Sequence, residues 1–227
     1  MASLFNKKGL IVSCQAYPGD PLFGEEMMVR MSIAAVQGGA IGIRSNGAAD
    51  IKAIKKAVNV PVIGLLKRKI EGSEIYITPE LEDVQTILEA GADIVALDVT
   101  DREDRYSKVK VLIDYIHQAG AQVMADISIA EEAIKAEQLG ADYVSTTLSG
   151  YTPYSLQQEE PDLELVEALK KVLKVSLIAE GKIWSADDAV LALSSGADYV
   201  VVGSAITRPE MVTKRFTAQM SDFLNQK

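Results

Sequence analysis

A chain of 227 residues, 48% hydrophobic and 24% charged, has the material for one large core and falls in the size range of a single α/β barrel. Its formal net charge of -9 argues against a general nucleic-acid binder, which needs a positive face for phosphates. The single cysteine, Cys14, excludes an intramolecular disulfide framework, and no segment reads as a signal peptide or membrane span, so a cytoplasmic protein is expected.

Taken in chain order, eight short branched apolar runs read as strands. They are LIVSC from Leu10, GGAIGIRSN from Gly38, PVIGLL from Pro61, AGADIVALD from Ala90, AGAQVMAD from Ala119, LGADYVSTT from Leu139, VSLIAE from Val175 and SGADYVVVG from Ser195. Amphipathic helical stretches lie between them, among them EEMMVRMSIAAVQ, LEDVQTILEA, LELVEALKKVL and ADDAVLALSS. Thr78-Pro79-Glu80 and Ser185-Ala186-Asp187 each set a capping hydroxyl before an acidic first turn. The repeated phrase with Gly-Ala-Asp closes a helix on glycine and enters a strand buried on both faces. Eight such units without a change of pattern predict parallel pairing and closure into a single (β/α)8 barrel spanning residues 1–227.

In that fold, function collects at the C-terminal ends of the strands. Standing there are Gln15, Arg44, Lys67, Asp98, Asp126, Thr147, Glu180 and the pair Gly203-Ser204. Asp98 and Thr147 can be explained as strand caps. Lys67 and Glu180 follow the third and seventh strands, and so face each other across the ring. They form either an acid–base pair or a structural ion pair over the mouth. Gly181 and Lys182 after the seventh strand, with Gly203, Ser204 and Arg208 after the eighth, match the usual phosphate position of such barrels. The loops 67–78 and 149–161 are long enough to act as lids, with Tyr151 and Tyr154 covering a sugar. His117 reads as a surface group near a helix end, Trp184 as packing beside the phosphate loop, and DREDR from Asp101 as a solvated loop. No metal-ligand spacing and no dinucleotide fingerprint are present, so neither a metal nor another cofactor is expected.

The blocks LIVSCQA, IGIRSNG, PVIGLLKR, IYITP, MADIS, STTLSGYTPYS, IAEGKI and GSAITRP, in this order, resemble the N-acetylmannosamine-6-phosphate 2-epimerase family over essentially the whole chain. The resemblance implies conversion of N-acetylmannosamine 6-phosphate to N-acetylglucosamine 6-phosphate in sialic-acid breakdown, without a cofactor, by a homodimer. Its catalytic lysine and glutamate fall on Lys67 and Glu180, and its substrate-binding residues on Gln15, Arg44 and Asp126. Arg208 matches on the phosphate side by motif. Tyr17, where the family pattern has an aliphatic residue, and Ser204, where a second glycine is common, depart from it. The chemistry fits the residues. A neutral Lys67, favoured by the neighbouring cations Arg44 and Arg68, can take the proton beside an aldehyde, and Asp126 would hold sugar hydroxyls or position Lys67. Two other classes stand beside this reading: an aldolase in which Lys67 forms a Schiff base, and a non-catalytic phosphosugar-binding barrel.

Overall fold

The structure is a computed structural model that describes residues 3–102 and 105–225. Its strands are β1 (Gly9–Cys14), β2 (Gly42–Asn46), β3 (Val62–Leu65), β4 (Ile94–Asp98), β5 (Gln122–Asp126), β6 (Tyr143–Ser145), β7 (Ser176–Glu180) and β8 (Tyr199–Val202). They pair in chain order, all parallel, and β8 closes on β1. The helices are α1 (Glu25–Gln37), α2 (Ala48–Ala57), α3 (Leu81–Glu89), α4 (Arg105–Gln118), α5 (Ala130–Leu139), α6 (Leu163–Val172) and α7 (Ala186–Ser194), followed after β8 by the short α8 (Ser204–Thr207) and the long α9 (Pro209–Asn225). The expected (β/α)8 barrel is therefore the architecture. None of the described helices is long and apolar enough to cross a membrane.

Successive side chains on a strand point to opposite faces, so each strand feeds two cores. Val12, Cys14, Ile43, Val62, Val95, Val123, Val144, Leu177 and Val200 pack outward against the helices. Burial pushes the Cys14 thiol up to about 11, so it stands as an inert apolar group there. Ile11, Ile63, Leu65, Ile94, Met124, Ile178 and Val201 fill the interior. The outer layer is tight at Gly64, where a Cβ would stand 2.7 Å from both Ala92 Cβ and Ile87 Cγ2.

The bottom of the barrel is plugged by residues that precede β1. The Phe5 ring lies 5.8 Å from that of Tyr143 and 4.8 Å from that of Tyr199, and Ser3 Oγ is 2.8 Å from Tyr199 Oη. At the top, β3 and β4 pair over only Ile63↔Ile94 and Gly64↔Val95. Above that, the segment Tyr76–Thr78 returns between them. Arg68 N–H donates to Tyr76 O at 3.1 Å, Thr78 N–H to Leu66 O at 2.8 Å, and Asp98 N–H to Ile77 O at 3.1 Å. The loop read as a lid is thus sewn into the barrel at its ends, with Ile77 buried in the interior.

Two local expectations change, and one holds. Thr78 does not cap α3. It holds a positive φ of 47°, its hydroxyl accepts from Leu66 N–H, and the cap residue is Glu80, whose N–H donates to Asp83 Oδ2. Ser185 does cap α7, its Oγ accepting from Asp188 N–H at 3.0 Å. The DREDR run is not simply a solvated loop. Arg102 binds Asp98 at 3.0 Å, and buried Arg105 donates to the carbonyls of Asp98, Pro79 and Thr78, while Glu103 and Asp104 lie outside the described residues.

Candidate active site

The inward register that fills the core continues past the strand ends. Lys67 is in phase with Ile63 and Leu65, Glu180 with Ile178, and Gly203 with Tyr199 and Val201. A polar residue placed one or two alternations beyond the last core residue must therefore enter the mouth. There it meets a cavity of about 320 Å³ whose walls include Gln15, Arg44, Lys67, Glu180 and, on the far side, Gly181, Lys182, Gly203, Ser204 and Arg208. Tyr151 completes the rim. These ten residues, all singled out in the sequence, thus line one space.

Asp126 stands behind the wall. Its carboxylate is fully buried and engaged on both oxygens, 2.5 Å from Arg44 Nη2 and 2.6 Å from Thr147 Oγ1. In the structure this carboxyl fixes Arg44. The other guanidinium nitrogen, Arg44 Nη1, is 2.5 Å from Glu180 Oε1. Burial works against the charge of Arg44, but Asp126 and Glu180 outweigh it and hold the guanidinium above its ordinary range. Thr147 was read as a strand cap. It lines the cavity and lies 3.2 Å from Glu180 Oε2 as well as 2.6 Å from Asp126 Oδ1. Its single proton serves one carboxylate at a time, the shorter contact being to Asp126.

Lys67 and Glu180 enter the same cavity without forming an ion pair. Lys67 Nζ donates to Tyr17 Oη at 3.1 Å, and its backbone N–H is held by Asn46 Oδ1 at 2.7 Å. The expected help from Arg68 is not available. One residue out of phase with Lys67, it turns outward to Asp83 at 2.6 Å. Arg44, the other expected cation, is already matched by two carboxylates.

On the far wall, Gly181 has φ +113°, a conformation that suits glycine, and lies between β7 and Lys182, which itself has φ +57°. Lys182 Nζ donates to Gln158 O and sits over the Tyr151 ring, 5.6 Å from its centroid. Arg208 donates to Asp20 Oδ2 at 2.8 Å. Trp184 lines the cavity and is covered by Arg215 of α9, 4.4 Å from the ring centroid. Two polar atoms of the mouth are buried without a hydrogen-bond partner among the described residues, Gln15 Oε1 and Arg44 Nε.

Other candidates lie elsewhere. Tyr154 is tied by its hydroxyl to Glu132 at 2.7 Å, away from the cavity. The 149–161 loop is knitted internally, Ser155 Oγ accepting from Gly150 N–H and donating to Thr152 O, so it is a folded wall rather than a free flap. Asp98 is buried and bound to Thr100 and Arg102, a structural role. His117 pairs with Asp142 at 2.8 Å near the start of β6, at the opposite end of the barrel from the cavity. No group of three or more His, Cys, Asp or Glu side chains placed to hold a metal occurs among the described residues. Sequence reading missed Tyr76, which lines the cavity, and gave Tyr17 no place in the site. Burial raises the Tyr76 hydroxyl above its ordinary range.

Burial raises the Asp126 carboxyl from 3.8 to about 7, with the Glu180 charge adding to the effect and Arg44 opposing it. Between those values the folded protein holds a proton that the unfolded chain has released. Stability from this group is therefore complete below its unfolded value and is lost as pH rises through the folded one. Denaturant midpoints measured from pH 4 to 8 should fall with pH in the wild type, and Asp126→Asn should flatten that part of the curve. Identical slopes would contradict it.

A family model described as "Putative N-acetylmannosamine-6-phosphate epimerase" matches residues 28–222. A relative from Clostridium perfringens, with the same qualifier before the name N-acetylmannosamine-6-phosphate 2-epimerase, is 50% identical over 212 residues, covering 93% of this chain and 96% of the relative. One of the same description from Caldanaerobacter subterraneus is 49% identical over 225 residues, covering 92% and 90%. The solved N-acetylmannosamine-6-phosphate 2-epimerase of Clostridium perfringens superposes with a TM-score of 0.90 at 49% identity, covering 95% of this chain and 93% of that one. With more than half its length matched by the family model and these relatives near 50% identity, this chain belongs to the N-acetylmannosamine-6-phosphate epimerase family.

Proposed function

We propose that the protein epimerises N-acetylmannosamine 6-phosphate to N-acetylglucosamine 6-phosphate at C2, a reaction of amino-sugar catabolism. The relatives' names support the substrate. The observation that carries the chemistry is that Lys67 and Glu180 enter one cavity from facing strands, yet each is held by a different neighbour. A lysine locked to a carboxylate would have its nitrogen occupied, whereas among the described residues Lys67 Nζ meets a phenol oxygen alone. In the open-chain sugar, the amine of Lys67 takes the C2 proton and the electron pair moves onto the aldehyde oxygen. Arg44 Nε, without a protein acceptor, lies in the wall to meet that developing charge. Gln15 Oε1, likewise unmatched, suits the acetamido N–H. Glu180 already accepts from Arg44, and it is placed to take the anomeric hydroxyl proton as the ring opens, while the ring oxygen gains one from water. Glu180, on the wall facing Lys67, then delivers its proton to the opposite face of C2, the aldehyde re-forms, and Lys67 passes its own proton to solvent.

We place the substrate phosphate against Gly181, Lys182, Gly203, Ser204 and Arg208. The first N–H groups of α8 are not used within the helix, and two cationic side chains flank them. We also propose a homodimer. Phe216, Met220, Phe223 and Leu224 form one apolar stripe on α9, each at least 60% exposed, and a second copy of the chain would cover it.

Three measurements test these proposals. In heavy water the product should carry deuterium at C2, and Lys67→Ala should lower turnover by at least about 100-fold, the scale of a positioned acid–base group. A lysine adduct trapped by borohydride, or turnover undiminished in that variant, would overturn the mechanism. Unphosphorylated N-acetylmannosamine should be turned over poorly, and Arg208→Ala should raise KM for the phosphorylated sugar about 10-fold while leaving the poor substrate unchanged, as expected for loss of a charged hydrogen bond. Equal effects on both sugars would remove phosphate from this wall. By sedimentation the wild type should be dimeric and Phe216→Glu/Met220→Glu monomeric; a monomeric wild type would refute the dimer.

A further inference from the structure

Tyr17 stands between two of the cationic side chains of the cavity, Lys67 and Arg208. Its Oη accepts from Lys67 Nζ at 3.1 Å and is the one polar partner of that nitrogen among the described residues. The ring centroid lies 5.9 Å from Lys67 Nζ and 5.4 Å from the guanidinium carbon of Arg208. The Lys67 distances put its nitrogen beyond the hydroxyl in line with the C–O bond, so the phenol oxygen holds Lys67 and the quadrupole of the ring face attracts Arg208.

The ring is itself fixed by a short turn after β1. Tyr17 N–H donates to Asp20 Oδ2 at 2.8 Å, and Asp20 N–H donates back to Tyr17 O at 2.9 Å. The same Asp20 oxygen accepts from Arg208 Nη2 at 2.8 Å. Tyr17, Asp20 and Arg208 therefore close a small circuit that joins the loop after β1 to the loop after β8. Lys67 hangs from the free end of that circuit, on the other side of the ring.

We propose that Tyr17 is a positioning residue: its phenol oxygen aims Lys67 at the reacting carbon, and its ring holds Arg208 at the phosphate end, so that one residue sets the spacing between the two halves of the site. This rests on the reading of Lys67 as the base. A long lysine side chain sweeps many rotamers, and a base displaced by an ångström loses much of its effect. An aliphatic side chain of similar size would fill the same space but would offer neither the acceptor oxygen nor the aromatic face.

The two contacts separate by substitution. Tyr17→Phe keeps the ring and loses the oxygen. Its kcat should fall about 10-fold, the upper end for loss of one hydrogen bond, with KM within about twofold of wild type. Tyr17→Leu loses both contacts, so kcat should fall similarly and KM for the phosphorylated sugar should rise about 10-fold. Both variants should melt near the wild-type temperature, and Lys67→Ala is assayed alongside. If Lys67→Ala is inactive while Tyr17→Phe matches wild type in kcat, the positioning role is overturned and the base reading stands. If Tyr17→Phe and Tyr17→Leu change kcat and KM alike, the split between the two ends is overturned. If Lys67→Ala retains full turnover, both readings fall together.

Discussion

A guanidinium that is 1% exposed is tolerable only where its charge is met, and Arg44 is met by Asp126 and Glu180, each at 2.5 Å. Taking such charges out of water costs several kcal/mol per ion, and removing one partner of a buried pair costs about 3–5 kcal/mol. The arrangement must therefore be kept whole. Once it is, strands β2, β5 and β7 are tied together across the barrel interior. Glu180 is thereby fixed in direction, and the wall opposite Lys67 becomes rigid. The mouth of the barrel is organised around that group, with the Thr147 hydroxyl, in the inward register of β6, lying between the two carboxylates and closer to Asp126.

Strand alternation decides which charged groups can take part. Lys67 and Arg68 are adjacent, equally cationic and equally close to the strand end. Only the first is in phase with Ile63 and Leu65, so the second is turned to Asp83 on the helix layer. The same rule separates Asp126 from the cavity by depth rather than by face. It is in the inward register but pairs with Ser145, one alternation below Thr147, and Arg44 lies over it.

Much of this was legible in the sequence, for local reasons. Gly-Ala-Asp phrases, apolar runs and capping residues are short-range signals, and they determine an alternating parallel barrel. Polar residues at strand exits then point to the mouth by geometry alone, which is why Gln15, Arg44, Lys67, Glu180 and Gly203 were found. What was not legible depends on distant partners. Tyr154 and Tyr151 look alike in SGYTPYS, yet Glu132 in α5 takes the first and the cavity takes the second. Thr147 reads as a strand cap until β5 and β7 bring carboxylates to it. Arg105 sits in a run of mixed charge but is buried against the carbonyls of Thr78 and Pro79, on a segment with no regular pattern of its own.

The closure of β8 on β1 has a consequence for how the chain is made. Gly9 pairs with Tyr199, and Ser3 reaches the same tyrosine, so the last seam of the ring joins residues about 190 positions apart. At about 5–20 residues per second, β1 waits on the order of 10–40 s after its own synthesis before its second neighbour exists. During that interval a row of backbone donors and acceptors stands unpaired beside an apolar strand, and the aromatic plug has only part of its socket. An arc of strands with two raw edges is prone to pairing with other chains. The price of a ring without edges is a nascent chain that carries edges until nearly its final turn.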